Sequence, residues 1–149
     1  RRRVCGLSLA AVVDACLPVA LITPDPKQAV VAAKFRAWAA AGEDLHAPGV
    51  LPYEIANVLA RLVWEGNFST ADIPQSWVDI QALGITPHAF DFLADGPQIA
   101  AIASALRRKH ATDCAYISLA MRLGCDVWTI DGPLARAAQA QGLPVQLLA

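Results

Sequence analysis

The stretch "LAAVVDACLPVALI", Leu9 to Ile22, is apolar throughout except for one carboxylate, Asp14. An ionised carboxylate left unpaired in an apolar interior is expensive, so Asp14 must meet water, a donor, a metal or a proton. Leu9 to Val13 reads as a fully buried strand and about Ala15 to Ile22 as a short helix, which puts Asp14 at the strand's carboxyl end. The same run, preceded by Arg1, Arg2 and Arg3, also has the basic start and apolar length of a leader or a membrane span. A mid-membrane aspartate costs roughly 3 kcal/mol. Pro18 interrupts the run, and no cleavage site precedes the aspartate. A buried first strand fits better, with residues 1–8 as an irregular extension and Arg1 not the native start.

Outward from this strand, apolar runs alternate with helical patterns, the signature of an α/β sandwich with a mainly parallel sheet. Lys27 to Ala41 is helical, with Val30, Val31, Lys34, Phe35 and Trp38 in amphipathic spacing and Gly42 as its stop. "DLHAP" offers a second, short strand. "LPYEIANVLARLVWEG" places Pro52 in the first turn of a helix and Gly66 past its end, with Ile55, Val58, Leu59 and Leu62 as the buried stripe. "STADIPQSWVDIQAL" reads as a helix capped by Ser69 or Thr70, and "GITPHAFDFLADG" as irregular or extended. Pro97 to Lys109 reads as a helix, then Thr112 caps "DCAYISLAMRLG". "CDVWTID" is a short strand, "GPLARAAQAQG" a helix and "LPVQLLA" a final strand. With no repeat, low-complexity segment or linker, the 149 residues are expected to form one domain.

The net charge of −1 identifies no partner, so nucleic-acid binding would need a local basic patch or a metal. Cys5, Cys16, Cys114 and Cys125 form no CxxC pair or zinc spacing and are expected to be reduced thiols in a cytoplasmic protein. His46, His88 and His110 lack companions at ligand spacing. No Gly-rich phosphate loop, GxSxG elbow or HExxH is present. A phospho-acceptor receiver would need a lysine near the last strand, and "GLPVQLLA" has none.

The acids divide into two groups. Glu43, Asp44, Asp72, Asp79 and Asp95 suit turns or solvated faces, and Asp126 precedes a strand in a turn. Asp14 and Asp131, by contrast, close strands, while Glu54 and Asp113 open helices. In a parallel α/β sheet those positions share one edge, where ligands bind. Each helix-start acid alone is explained by the helix dipole. Crowded together, the acids repel unless protons or cations compensate, and hard oxygen donors suit Mg²⁺ or Mn²⁺. Such ions activate water and hold phosphodiester oxygens.

"VVDAC", "PYEIANVL", "HATDCAYISLA" and "WTIDGPL", in this order and setting, resemble the PIN domain, and most closely the VapC toxins of bacterial toxin–antitoxin pairs. The resemblance runs from about Leu9 to near the end. It implies a three-layer α/β/α ribonuclease in which Asp14, Glu54, Asp113 and Asp131 hold one or two Mg²⁺ or Mn²⁺ ions, with Thr129 supporting them. It further implies transfer or ribosomal RNA as substrate, a homodimer, and a small VapB-type antitoxin over the acidic cleft. Cys16 departs from a common hydroxyl residue, and Gly132 and Pro133 stand where many members carry a further acid; the triple arginine lies outside the pattern. Arg107, Arg108 and Lys109, with Arg61 and Arg136 next in order, are the candidate RNA contacts. A non-catalytic PIN-like module that binds RNA or protein is the competing expectation.

Overall fold

The computed structural model describes residues 9–149; the expected irregular segment 1–8 and Cys5 lie outside the described residues. Five strands form one parallel sheet: β1 (Ala10–Val13), β2 (Asp44–Pro48), β3 (Thr86–His88), β4 (Asp126–Thr129) and β5 (Val145–Leu147). Their order is β3-β2-β1-β4-β5. The chain thus builds outward from β1 in one direction, then returns to lay β4 and β5 on its other side. β1 is the centre, and Ala11, Val12 and Val13 are fully buried because both faces and both edges are covered.

The period-two alternation of β1 sends its side chains into two cores. Ala11 and Val13 meet Leu17 of α1 (Cys16–Ile22) and Val31, Phe35 and Trp38 of α2 (Gln28–Ala41). Val12 belongs to the opposite cluster. There it joins Ile55 and Leu59 of α3 (Leu51–Trp64), Ile80 of α4 (Ile73–Ala82) and Ile102 of α5 (Asp95–Ala105). Tyr116 and Ile117 of α6 (Thr112–Leu123) and Leu134 of α7 (Gly132–Ala140) complete that cluster. The result is the three-layer α/β/α sandwich. Lys34 stays near the α2 core by placing its ammonium 3.6 Å from the Trp128 ring centroid, a cation–π contact.

Several local expectations are corrected. The α5 helix spans Asp95–Ala105, not 97–109, so Arg107, Arg108 and Lys109 occupy a turn, with Arg107 at φ 53°. Asp95 is buried, not solvated: it accepts from the Asp91 N–H at 2.8 Å and pairs with Arg122 at 3.7 Å. Thr112 lies inside α6 and makes no side-chain cap; Ala111 precedes the helix. Ser69 does cap, but it opens a 3₁₀ turn ahead of α4. "TPH" within the irregular stretch is β3, and its His88 contacts His46 at 2.9 Å across adjacent strands. Cys16, Cys114 and Cys125 are free thiols. Among the described residues no helix is long and apolar enough to cross a membrane.

The core assignment has a direct check. Ile117→Ala removes a fully buried side chain and should cost about 2–5 kcal/mol in chemical denaturation. Trp64→Ala, at a residue 90% exposed, should change stability by no more than about 0.5 kcal/mol.

Candidate functional site

The sheet order reverses between β1 and β4, and ligands in open α/β sheets bind beyond the strand ends at such a switch point. Asp14 leaves β1 there and Asp131 leaves the segment after β4. Glu54 sits in the first turn of α3 and Asp113 in the first turn of α6. All four carboxylates line one open cavity of about 580 Å³, together with Cys16, Tyr53, Asn57 and Arg61.

Asp14 is 7% exposed, and its carboxylate is held by donors from both neighbouring segments. The fully buried Thr129 donates its hydroxyl to Asp14 Oδ2 at 2.6 Å, and Cys16 donates its thiol to the same oxygen at 3.1 Å. The Asp131 N–H donates to Thr129 Oγ1 at 3.0 Å, so one hydroxyl ties the ends of the two central strands together. The Cys16 sulfur also receives the Ile130 N–H at 3.4 Å. Asp131 caps α7 by accepting from the Leu134 N–H at 2.9 Å.

Glu54 and Asp113 have partners that sequence reasoning missed or placed otherwise. Tyr116, 1% exposed, donates its hydroxyl to Glu54 Oε1 at 2.7 Å. Its only sequence signal is a phenol three residues after Asp113, on the same side of α6 within an apolar stripe. Arg108 reaches Asp113 Oδ2 at 3.4 Å, so one of the expected RNA contacts lies against an acid. Arg61 lines the cavity. Arg136 is exposed and lies over Gly132, where a Cβ would meet its Nη1 at 3.0 Å. Arg107 and Lys109 are exposed in the turn before α6 and do not line the cavity.

The electrostatics follow from crowding and burial. Burial pushes the Asp14 carboxyl above its ordinary range against the Thr129 and Cys16 hydrogen bonds, and Asp113 adds to the rise. Burial likewise pushes Glu54 up to about 7 despite the Tyr116 hydrogen bond, with Asp14 and Asp113 contributing. Asp113 is raised by burial and by Asp131, while Arg108 opposes. The oxygen donors fit a hard divalent cation, which would relieve this repulsion. Among the described residues no three acids, histidines or cysteines already stand close enough to hold an ion together. Each carboxylate is instead satisfied separately: by Thr129 and Cys16, by Tyr116, by Arg108, or by the Leu134 amide of α7.

These shifts fix the sign of a pH effect. Raised carboxyl pKa values mean that the folded chain binds protons more tightly than the unfolded one. Their stabilising contribution is therefore present at low pH and is lost as pH rises through the folded values. For Glu54 the window runs from about 4.5 to about 7. His88, lowered by burial and by His46, acts oppositely near the same range, so the difference between variants is the informative quantity. In chelator, Glu54→Gln should lose less melting temperature than the wild type between pH 4.5 and pH 7.5. Parallel pH profiles would contradict the assignment.

Comparison with known proteins gives a concordant picture. Curated proteins provide no match. PAE2754 from Pyrobaculum aerophilum has a similar fold, with TM-score 0.64 and 19% identity over 87% of this chain and 79% of that one. VapBC2 from Rickettsia felis, crystallised bound to a DNA fragment from their promoter, gives TM-score 0.67 and 12% identity over 95% of this chain and 100% of that one. A family model described as PIN domain matches residues 11–140, from the central strand to the end of α7. On that match the chain belongs to the PIN-domain family.

Proposed function

We propose that this chain is a metal-dependent endoribonuclease, the toxin of a VapB–VapC-type pair, which acts in the cytoplasm and is silenced by its antitoxin. The observation that carries the reading is the gathering of Asp14, Glu54, Asp113 and Asp131 around one cavity at the switch point of a PIN-family sheet. Likeness of fold to VapBC2 supports the toxin–antitoxin setting. A homodimer formed by one domain per chain, and structured transfer or ribosomal RNA as substrate, complete the proposal.

In this reading the four acids hold one or two Mg²⁺ or Mn²⁺ ions, which when bound supply water activation and charge neutralisation at the phosphodiester. The protein's own contribution is positional. Thr129 and Cys16 fix the Asp14 carboxylate, and Tyr116 fixes Glu54 from beneath. Arg108, paired with Asp113, and Arg61, on the cavity wall, offset the repulsion an anionic substrate meets at an acidic site. Arg107, Lys109 and Arg136, exposed nearby, extend the basic surface along the RNA.

Asp14→Asn and Asp113→Asn should each lower cleavage of transfer or ribosomal RNA in Mg²⁺ or Mn²⁺ on the order of 10²-fold or more. Both variants should still unfold cooperatively, because an amide in a site of raised carboxyl pKa removes a charge the fold disfavours. Wild-type cleavage by either variant, or undiminished cleavage in excess chelator, would contradict the proposal. Tight RNA binding by the wild type with no cleavage would favour the non-catalytic module instead.

A further inference from the structure

Tyr53, Asn57, Arg61 and Trp64 lie on one row of α3, within about 80° of each other at 100° per residue. The row is opposite the buried stripe of Leu51, Ile55 and Leu59. It begins inside the acidic cavity, whose wall includes Tyr53, Asn57 and Arg61, and runs out to Trp64 about 16 Å further along the helix axis. The two rings are largely bare: Tyr53 is 73% and Trp64 90% exposed. Single exposed aromatics need no explanation, but two on one row, separated by an amide and a guanidinium and leading to a cluster of carboxylates, form a pattern.

We infer that this row is a base-stacking platform for a single-stranded RNA segment adjoining the phosphodiester in the acidic cavity. The inference rests on the endoribonuclease reading. Flat aromatic faces stack any base, contributing roughly tenfold in affinity per base, while an interleaved cation tracks the backbone. Arg61 supplies that cation between the rings and counters the field of the acids, which otherwise repels the strand. Tyr53 directly precedes Glu54, so a base on its ring places the adjoining phosphate beside the carboxylates. The row starts on the wall of the cavity that holds the four acids, where the endoribonuclease reading places the phosphodiester, and Arg61 carries the charge a strand's phosphates need, which favours nucleic acid.

The test compares two fluorescein-labelled 12-nucleotide probes by anisotropy in chelator, where cleavage is suppressed: oligoadenylate and an abasic strand of the same backbone. Wild type should bind oligoadenylate at least about tenfold more tightly than the abasic strand. Tyr53→Ala with Trp64→Ala should abolish that preference, and Tyr53→Phe with Trp64→Phe should keep it, since flat rings remain. Both positions are solvent-exposed, so the fold is retained. A wild type without base preference, or a double alanine variant that keeps it, would overturn the platform. So would a double alanine variant that loses self-association while its base preference is unchanged, which would make the row a protein interface. The cleavage assay on Asp14→Asn is independent: base preference retained by the double alanine variant, together with an inactive Asp14→Asn, removes the platform and leaves the nuclease standing.

Discussion

The hydrogen bond from Thr129 Oγ1 to Asp14 Oδ2, at 2.6 Å, is the contact on which the arrangement of this molecule turns. A carboxylate at the end of the most buried strand is tolerable only when donors reach it. Those donors come from β4, laid alongside β1 by the reversal of strand order, and from Cys16 at the start of α1. The Asp131 amide shares the same hydroxyl, so pairing β1 with β4 also aligns two of the acids. Fold and site are in this sense one constraint: the sheet that buries Val12 and Val13 also presents Asp14 at its open edge.

The acids are crowded but not collapsed upon each other. Each one has a local partner, and those partners differ in character: a buried hydroxyl with a half-buried thiol, a buried phenol, a half-buried guanidinium and a helix terminus. Such separate compensation lets the four carboxylates line one cavity, each on its own partner. Raised pKa values at Asp14, Glu54 and Asp113 show that it is incomplete, because burial outweighs the hydrogen bonds. A divalent cation held by these carboxylates would supply the positive charge that is missing.

Much of this was legible in the sequence, for identifiable reasons. A continuous apolar run ending in Asp14 has few readings, and the recurrence of acids at strand ends and helix starts marks one edge of a parallel sheet. The gathering of those acids needed only the βα order. What stayed hidden depends on contacts between distant segments. Asp95 looked like a turn acid and is buried beside Arg122 of another helix. Tyr116, given no role from the sequence, is a hydrogen-bond donor to Glu54, 62 residues away. The basic run 107–109 looked like a helix end, but α5 stops at Ala105 and the turn that follows lets Arg108 reach Asp113. His46 and His88 appeared solitary because only the β2–β3 register brings them together. Periodicity reports which face a residue occupies; it does not report who meets it there.

Whether the four carboxylates form one cation site is decided by Mn²⁺ titration by calorimetry near pH 6.5. One cation site means saturable binding with proton release, because carboxyls of raised pKa must ionise to bind, and loss of that binding in Asp14→Asn. Absence of Mn²⁺ binding by the wild type, or equal binding by Asp14→Asn, would contradict it.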